Sequence, residues 1–386
     1  MKILISAGEA SGDLYASALV AAIRRRVPEA EFFGCTGPRL RAAGVRTVVD
    51  AASLAVVGLV EVVRHIPRIL GEFKKLEAAV RAEKPDLAIL TDAPDFHLRL
   101  ARRLRPLGIP VVYLVAPQVW AWRQGRIPQM RRDIARLLCI FPFEEAFFRG
   151  HGVAATYIGH PLTRLIAPAQ SREDFYRKHG IPGDRPMLVL LPGSRPGEIA
   201  RHLPVLRRAV DLIASARSCT FVLATPANPA ALAPIAGQLT NFKEPKQALF
   251  IQHIEGETWD AIAHADAALA ASGTVTVEAA LLGTPVAAFY KVSPLSWWMG
   301  RYLVRVPFYT MVNILAERPV IPELIQDSLT PESLAREGLR LIDDGEERAR
   351  MRRDLGEVRR LLTTEDDPME KAAEVVVEML RKDGTV

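Results

Sequence analysis

Two aspartates three residues apart, Asp92 and Asp95, follow an apolar run in PDLAILTDAPDFH (85–97). Carboxylates so spaced could act together on one ligand or hold separate jobs. PDLAIL reads as a strand, so Asp92 should stand at its carboxyl end, where an α/β sheet receives ligands. Pro94 should keep Ala93 extended and delay the helix. Asp95 then becomes the N-cap of FHLRLARRLR, its carboxylate accepting from the N–H of His97 or Leu98.

Four further stretches carry chemistry. GEASGD, Gly8 to Asp13, follows the strand-like KILIS and precedes a helix expected near Leu14. Its glycines expose N–H groups at a helix start, a favourable place for an anion, so Glu9, Ser11, Gly12 and Asp13 become candidates for ligand contact. The spacing is not G-x-G-x-x-G and the P-loop lysine is missing; a turn capped by Ser11 or Asp13 would look the same. In LPGSRPGE, Gly193 lets the backbone approach a ligand beside Ser194, and Arg195 at a helix start could bind a diphosphate or simply be a surface arginine. In ASGTVTVE, Ser272, Gly273 and Thr274 offer small side chains and N–H groups to phosphate oxygens. Glu278, four residues beyond Thr274, could accept from two ribose hydroxyls, or merely suit the helix dipole. His160, in IGHPL, either faces a ligand where the chain leaves its first half or is structural. No carboxylate or histidine cluster accompanies the LPGSR and ASGTVTVE loops, so neither a metal nor a cofactor is expected.

These residues need strands and helices to hold them. KILIS, EFFGC, DLAIL, VVYLV and RLLCI alternate with segments of helical period, and MLVLL, TFVLA, ALFI, AALAA and PVAAFY repeat the alternation. That is the pattern of stacked βαβ units with parallel sheets. From Val62 a helical face runs through Ile66, Ile69, Phe73, Leu76 and Val80, with Pro67 expected to break or begin the helix. The stretch 159–170 carries two prolines and reads as a linker. The expected fold is α/β, with two doubly wound Rossmann-like domains, 1–165 and 166–386, facing a cleft, and with C-terminal helices from about Pro331 that could pack on either domain.

The chain has 386 residues, 49% hydrophobic and 24% charged, with net charge +6. Residues 1–165 carry 24 Lys and Arg against 15 Asp and Glu, a balance of +9, and residues 166–386 carry 26 against 29, a balance of −3. Only the first half is basic: either it meets an anionic surface, or its charges, such as RRR at 24–26 and ARRLR at 101–105, are solvated helix faces. One aromatic and basic stretch, VWAWRQGR (119–126), is too little for a nucleic-acid interface, so no nucleic acid is expected. Cys35, Cys139 and Cys219 lack the spacing of a disulfide framework or zinc site. MKILISAGEASGD is too short of apolar residues for a signal peptide, and no run is long enough to span a bilayer. A cytoplasmic protein is the expectation.

In GEASGD, GPRLRAAG, LAVVGLVEV, DAPDF, APQVWAWRQGR, FPFEEAFF, IGHP, LPGSR, ASGTVTVEAALLGTP and VNILAERPVIPELIQ the sequence resembles the lipid-A-disaccharide synthase family, inverting glycosyltransferases of the GT-B fold. The resemblance implies attack by the 6-hydroxyl of 2,3-diacylglucosamine 1-phosphate on C1 of UDP-2,3-diacylglucosamine, giving a β-1,6-linked disaccharide 1-phosphate and UDP. It implies donor contacts at Arg195, Glu278 and Asn313, the acceptor in the first domain, and the base at Asp92. It further implies a peripheral protein on the inner face of the cytoplasmic membrane of a Gram-negative bacterium, and leaves homodimerisation open. Two apolar stretches, LAVVGLVEVV (54–63) with Arg64 and Arg68 beside it and WWMGRYLVRVPFY (297–309), could be buried core or lipid-facing. Two other classes fit the two-domain pattern: a UDP-N-acetylglucosamine 2-epimerase and a nucleotide-sugar binding protein. The N-acetylglucosaminyltransferase of peptidoglycan precursor synthesis is the runner-up among transferases.

Overall fold

The computed structural model describes residues 1–54, 59–227, 232–233, 236–238, 251–293, 297–298 and 306–382. The chain divides into two units: Met1–Arg164 together with Leu362–Val386, and Leu165–Leu361. The stretch from Leu362 therefore belongs with the first unit, one of the two placements open to the C-terminal helices.

The first unit holds β1 (Lys2–Ala7), β2 (Glu31–Thr36), β3 (Arg46–Asp50), β4 (Leu87–Thr91), β5 (Val111–Leu114), β6 (Arg136–Cys139) and β7 (Ala155–Tyr157), in the order β3-β2-β1-β4-β5-β6-β7. Every pairing is parallel. The central strands are continuous apolar runs because helices cover both faces of a parallel sheet; Ile3, Leu4, Ile5, Ile89, Leu90 and Val112 are fully buried. Strand order reverses between β1 and β4, so the loops after these two strands meet at the switch point. GEASGD follows one and Asp92 the other.

The helices of this unit include α1 (Ala10–Arg26), α2 (Pro38–Ala42), α3 (Leu59–Glu83), α4 (Pro94–Leu104) and α5 (Pro142–Gly150). α1 begins at Ala10 rather than near Leu14, which puts Ser11, Gly12 and Asp13 in its first turn. Pro67 lies inside α3. A helix of 25 residues absorbs one missing hydrogen bond because about two turns precede Pro67 and about four follow it. The terminal helix, Pro368–Lys382, lies on α1, where Arg25 Nε donates to Glu370 at 3.0 Å and Arg26 pairs with the same carboxylate.

The second unit holds β8 (Met187–Leu191), β9 (Thr220–Thr225), β10 (Ile251–Glu255), β11 (Ala267–Ala271), β12 (Val286–Tyr290) and β13 (Glu323–Ile325), in the order β10-β9-β8-β11-β12-β13, again all parallel. Its reversal falls between β8 and β11, the strands that lead into PGSR and SGT. α6 (Pro196–Ala216), α7 (Thr274–Leu282) and α8 (Met311–Ala316) follow β8, β11 and the 306–310 segment. The expected strand ALFI falls mainly on 248–250, outside the described residues, and β10 starts at Ile251.

Candidate active site

Asp92 leaves β4 in the left-handed region, φ +53°, and Ala93 follows at φ +35°. Ala93 is thus not extended, as Pro94 led one to expect, and it takes the N-cap position of α4, with Pro94 at N1. The turn folds the Asp92 side chain back onto the start of α1. Oδ1 accepts from the N–H of Gly8 at 2.8 Å and Oδ2 from the N–H of Glu9 at 3.0 Å. A Cβ on Gly12 would lie 1.7 Å from Asp92 Oδ2, so only glycine fits there. The anion held by this loop is the protein's own carboxylate. The Asp92 side chain is 11% exposed. Burial above all, with the charge of Glu9, raises its pKa well above the carboxylate range, against the pull of the two N–H bonds.

The neighbouring candidates separate. Glu9 is exposed and Ser11 half-buried beside Asp92. Asp13 is buried, and its carboxylate accepts from the N–H groups of Gly37 at 2.8 Å, Arg39 at 2.8 Å and Leu40 at 3.2 Å, capping α2. His160 is also buried, between the rings of Tyr15 and Phe141, and its Nδ1 accepts from the N–H of Leu162 at 3.2 Å. Burial lowers its pKa to about 3, which keeps the ring neutral. Asp95 is not the N-cap. It is the second residue of α4, 70% exposed, and it pairs with Arg123 at 3.2 Å and with Arg126. The left-handed pair 92–93 starts the helix earlier than an extended Ala93 would.

One residue that sequence reasoning passed over is Glu144, inside FPFEEAFF. It is fully buried, accepts from Trp120 Nε1 at 3.1 Å and from the N–H groups of Ile140 and Phe141, and burial pushes it up to about 8. It ties VWAWR to α5. A glutamate at the third position of a helix opened by proline was the available signal.

In the second unit, Gly193 has φ +119°, and a Cβ there would lie 2.5 Å from Glu198 Oε2. Glu198, in the first turn of α6, accepts from the N–H of Ser194 at 3.1 Å and is hydrogen-bonded by Tyr290. His202, one turn on, must carry its proton on Nδ1, because that atom meets the Pro192 carbonyl at 2.7 Å; Nε2 then accepts from the N–H of Lys291 at 3.0 Å. PGSR is thereby braced to the end of β12. Ser194 and Arg195 are exposed, Arg195 at the N-cap of α6.

Gly273 caps α7 without a side-chain hydrogen bond, and Gly273 and Thr274 are exposed. Among the described residues no side chain caps the first-turn N–H groups, the arrangement an anion needs. Ser272 Oγ donates to the Tyr309 carbonyl at 3.3 Å. Glu278 is half-buried and held by a hydrogen bond from Trp259; burial raises its pKa to about 7. Asn313 departs from its expected place as a donor contact. It is buried, its Nδ2 donates to the Ile321 carbonyl and to Glu323 at 2.9 Å each, and its Oδ1 accepts from the N–H groups of Val320 at 2.8 Å and Ile321 at 3.0 Å. All four sites of the amide are used. Glu323 in turn accepts from the N–H groups of Tyr309 and Thr310, so hydrogen bonds link Asn313 through that segment to Ser272.

Two parallel, doubly wound units, each with its polar loops at the reversal of strand order, define a protein of the GT-B class. The fold is that of UDP-GlcNAc 2-epimerase from Neisseria meningitidis bound to UDP-GlcNAc, with TM-score 0.66 at 12% identity over 99% of this chain and 100% of that one. It is also that of CalG4, the calicheamicin glycosyltransferase, with TM-score 0.58 at 18% identity over 99% and 98%. Fold alone does not separate a transferase from an epimerase. The chain belongs to the lipid-A-disaccharide synthetase family, whose model matches residues 3–377. It is 59% identical over 379 residues to the lipid-A-disaccharide synthase of Solibacter usitatus (strain Ellin6076), covering 98% of this chain and 97% of that protein. It is 42% identical over 381 residues to that of Myxococcus xanthus (strain DK1622), covering 98% and 97%.

Proposed function

We propose that this glycosyltransferase joins UDP-2,3-diacylglucosamine to 2,3-diacylglucosamine 1-phosphate, forming the β-1,6-linked disaccharide 1-phosphate and UDP with inversion at the anomeric carbon. Asp92 takes the proton of the acceptor 6-hydroxyl as that oxygen bonds to C1, and the bond from C1 to the diphosphate breaks with its electron pair on UDP. A base of raised pKa is a better proton acceptor once ionised, and burial with the charge of Glu9 raises that of Asp92. Glu9, Ser11 and Gly12 border the acceptor. Arg195 and the N–H groups of Gly273 and Thr274 meet the departing diphosphate, with Gly193 and Ser194 beside them and Glu278 on the ribose. Asn313 serves the donor loop indirectly, through Glu323 and Tyr309.

The observation that carries this reading is the carboxylate of Asp92 fixed by two N–H groups at the first sheet's switch point, in a chain of this family. The lipid substrates lie in a membrane, and the protein meets its cytoplasmic face peripherally. What supports this is the basic first half and the exposed Ile66, Arg68 and Leu70 on α3. No described helix is long and apolar enough to cross a membrane. Of the two apolar stretches, 55–58 and 299–305 lie outside the described residues, and Trp298 is 60% exposed.

Incubation with both substrates should give tetraacyl disaccharide 1-phosphate and UDP in equal amounts by mass spectrometry, at a rate unchanged by excess EDTA. Recovery of an isomerised sugar nucleotide instead would identify an epimerase. Loss of the rate in EDTA with recovery in Mg²⁺ would show that the diphosphate needs a metal.

A further inference from the structure

We infer that Tyr113 and His97 are positioning residues for the transfer: together they pin the peptide carbonyl of Asp92 and so aim its carboxylate. The inference rests on the assignment of Asp92 as the base. Asp92 and Ala93 both occupy the left-handed region, at φ +53° and +35°, and neither is glycine. Such a pair persists only where its surroundings hold it.

The holding groups converge on one atom. The Asp92 carbonyl oxygen accepts from Tyr113 Oη at 2.6 Å and faces His97 Nδ1 at 3.0 Å. A carbonyl only accepts, so His97 carries its proton on Nδ1, and Nε2 is left to accept from Ser6 Oγ at 2.7 Å. Burial lowers His97 to about 4, which keeps the ring neutral and this tautomer in place at neutral pH. Tyr113 comes from β5, His97 from α4 and Ser6 from β1, and all three are fully buried. Both lone pairs of the carbonyl are thus engaged from different elements.

The carbonyl and the side chain leave the same Cα. If the peptide rotates out of the left-handed turn, the carboxylate swings away from the N–H groups of Gly8 and Glu9. A core that required only volume would be served by phenylalanine at 113 and leucine at 97, without polar atoms to satisfy. The hydroxyl of Tyr113 and the imidazole of His97 are there for the bond to Asp92.

The test is the full chain carrying Tyr113→Phe, His97→Leu or His97→Asn, assayed for kcat, for KM of each substrate and for melting temperature. Tyr113→Phe keeps the ring and removes one hydroxyl. It should lower kcat about tenfold or more, because small misplacements of a reacting group are costly, while the donor KM stays within about twofold. His97→Leu should do the same, and His97→Asn should recover most of the rate, since its amide N–H can stand where Nδ1–H stood. Should Tyr113→Phe and His97→Leu keep kcat within about twofold while Asp92→Asn is inactive, the base stands and the positioning role is wrong. A loss of rate that merely tracks the fraction unfolded would also overturn it, as would the absence of rescue by Asn. If Asp92→Asn turns over normally, the base assignment itself fails.

Discussion

Asp13 and Asp92 lie in the same corner of the first unit and differ in what they have left to give. The two oxygens of Asp13 accept three N–H groups from the start of α2. Each oxygen of Asp92 accepts one N–H, which leaves a lone pair on each for a reacting proton. Sequence pattern alone did not separate them, because the partners of Asp13 begin 24 residues downstream, at Gly37. The same holds for Asn313: its type and neighbours match a binding residue, whereas the loop that consumes its amide becomes visible only in three dimensions. Glu278 carries a prediction at this scale. With a pKa of about 7, it is a carboxylate able to accept from two hydroxyls above that pH, and it protonates as pH falls through 7. The dissociation constant of UDP, measured by calorimetry from pH 8 to pH 6, should rise more steeply for the parent chain than for Glu278→Gln. Parallel curves for the two proteins would remove Glu278 from the ribose.

Among the elements, the buried strands were legible as continuous apolar runs at the places where β1, β2, β4, β5, β6, β8, β9, β11 and β12 form, because both faces of a parallel sheet are covered. The short strands β3, β7 and β13 were not, since RTVVD, ATY and ELI have no such run. Helix starts were misplaced where local rules lost to tertiary bonds: Ala93 should be extended before Pro94, and the hydrogen bonds around Asp92 hold it left-handed instead. α3 shows the opposite case, a pattern that continues beyond its core. Leu76 and Val80 are buried, but Ile66 is 42% and Leu70 46% exposed, next to the exposed Arg68. An apolar helix end flanked by cations fits a lipid surface. Ile66→Ser/Leu70→Ser should reduce cosedimentation with phosphatidylglycerol vesicles at 1 M salt, where the Debye length is only about 3 Å and apolar insertion carries what binding remains. If the parent chain does not bind such vesicles even at low salt, this face has another use.

For the molecule as a whole, the division into two doubly wound units was legible from the alternation of strand and helix, and the switch points follow from the strand order. The return of the terminal helix to α1 was not, because the apolar face it buries, Ala372, Ala373, Val376 and Leu380, would suit either unit. The proposed division of labour gives each unit a different kinetic signature: the first supplies the proton acceptor, the second the donor site. Removing the base should therefore depress turnover without weakening UDP. The most direct measurement is kcat of Asp92→Asn at saturating concentrations of both substrates, with the UDP dissociation constant and melting temperature recorded beside it. General-base loss should cut kcat at least about a hundredfold and leave the other two nearly unchanged. Turnover close to that of the parent chain would contradict the assignment of Asp92 as the base.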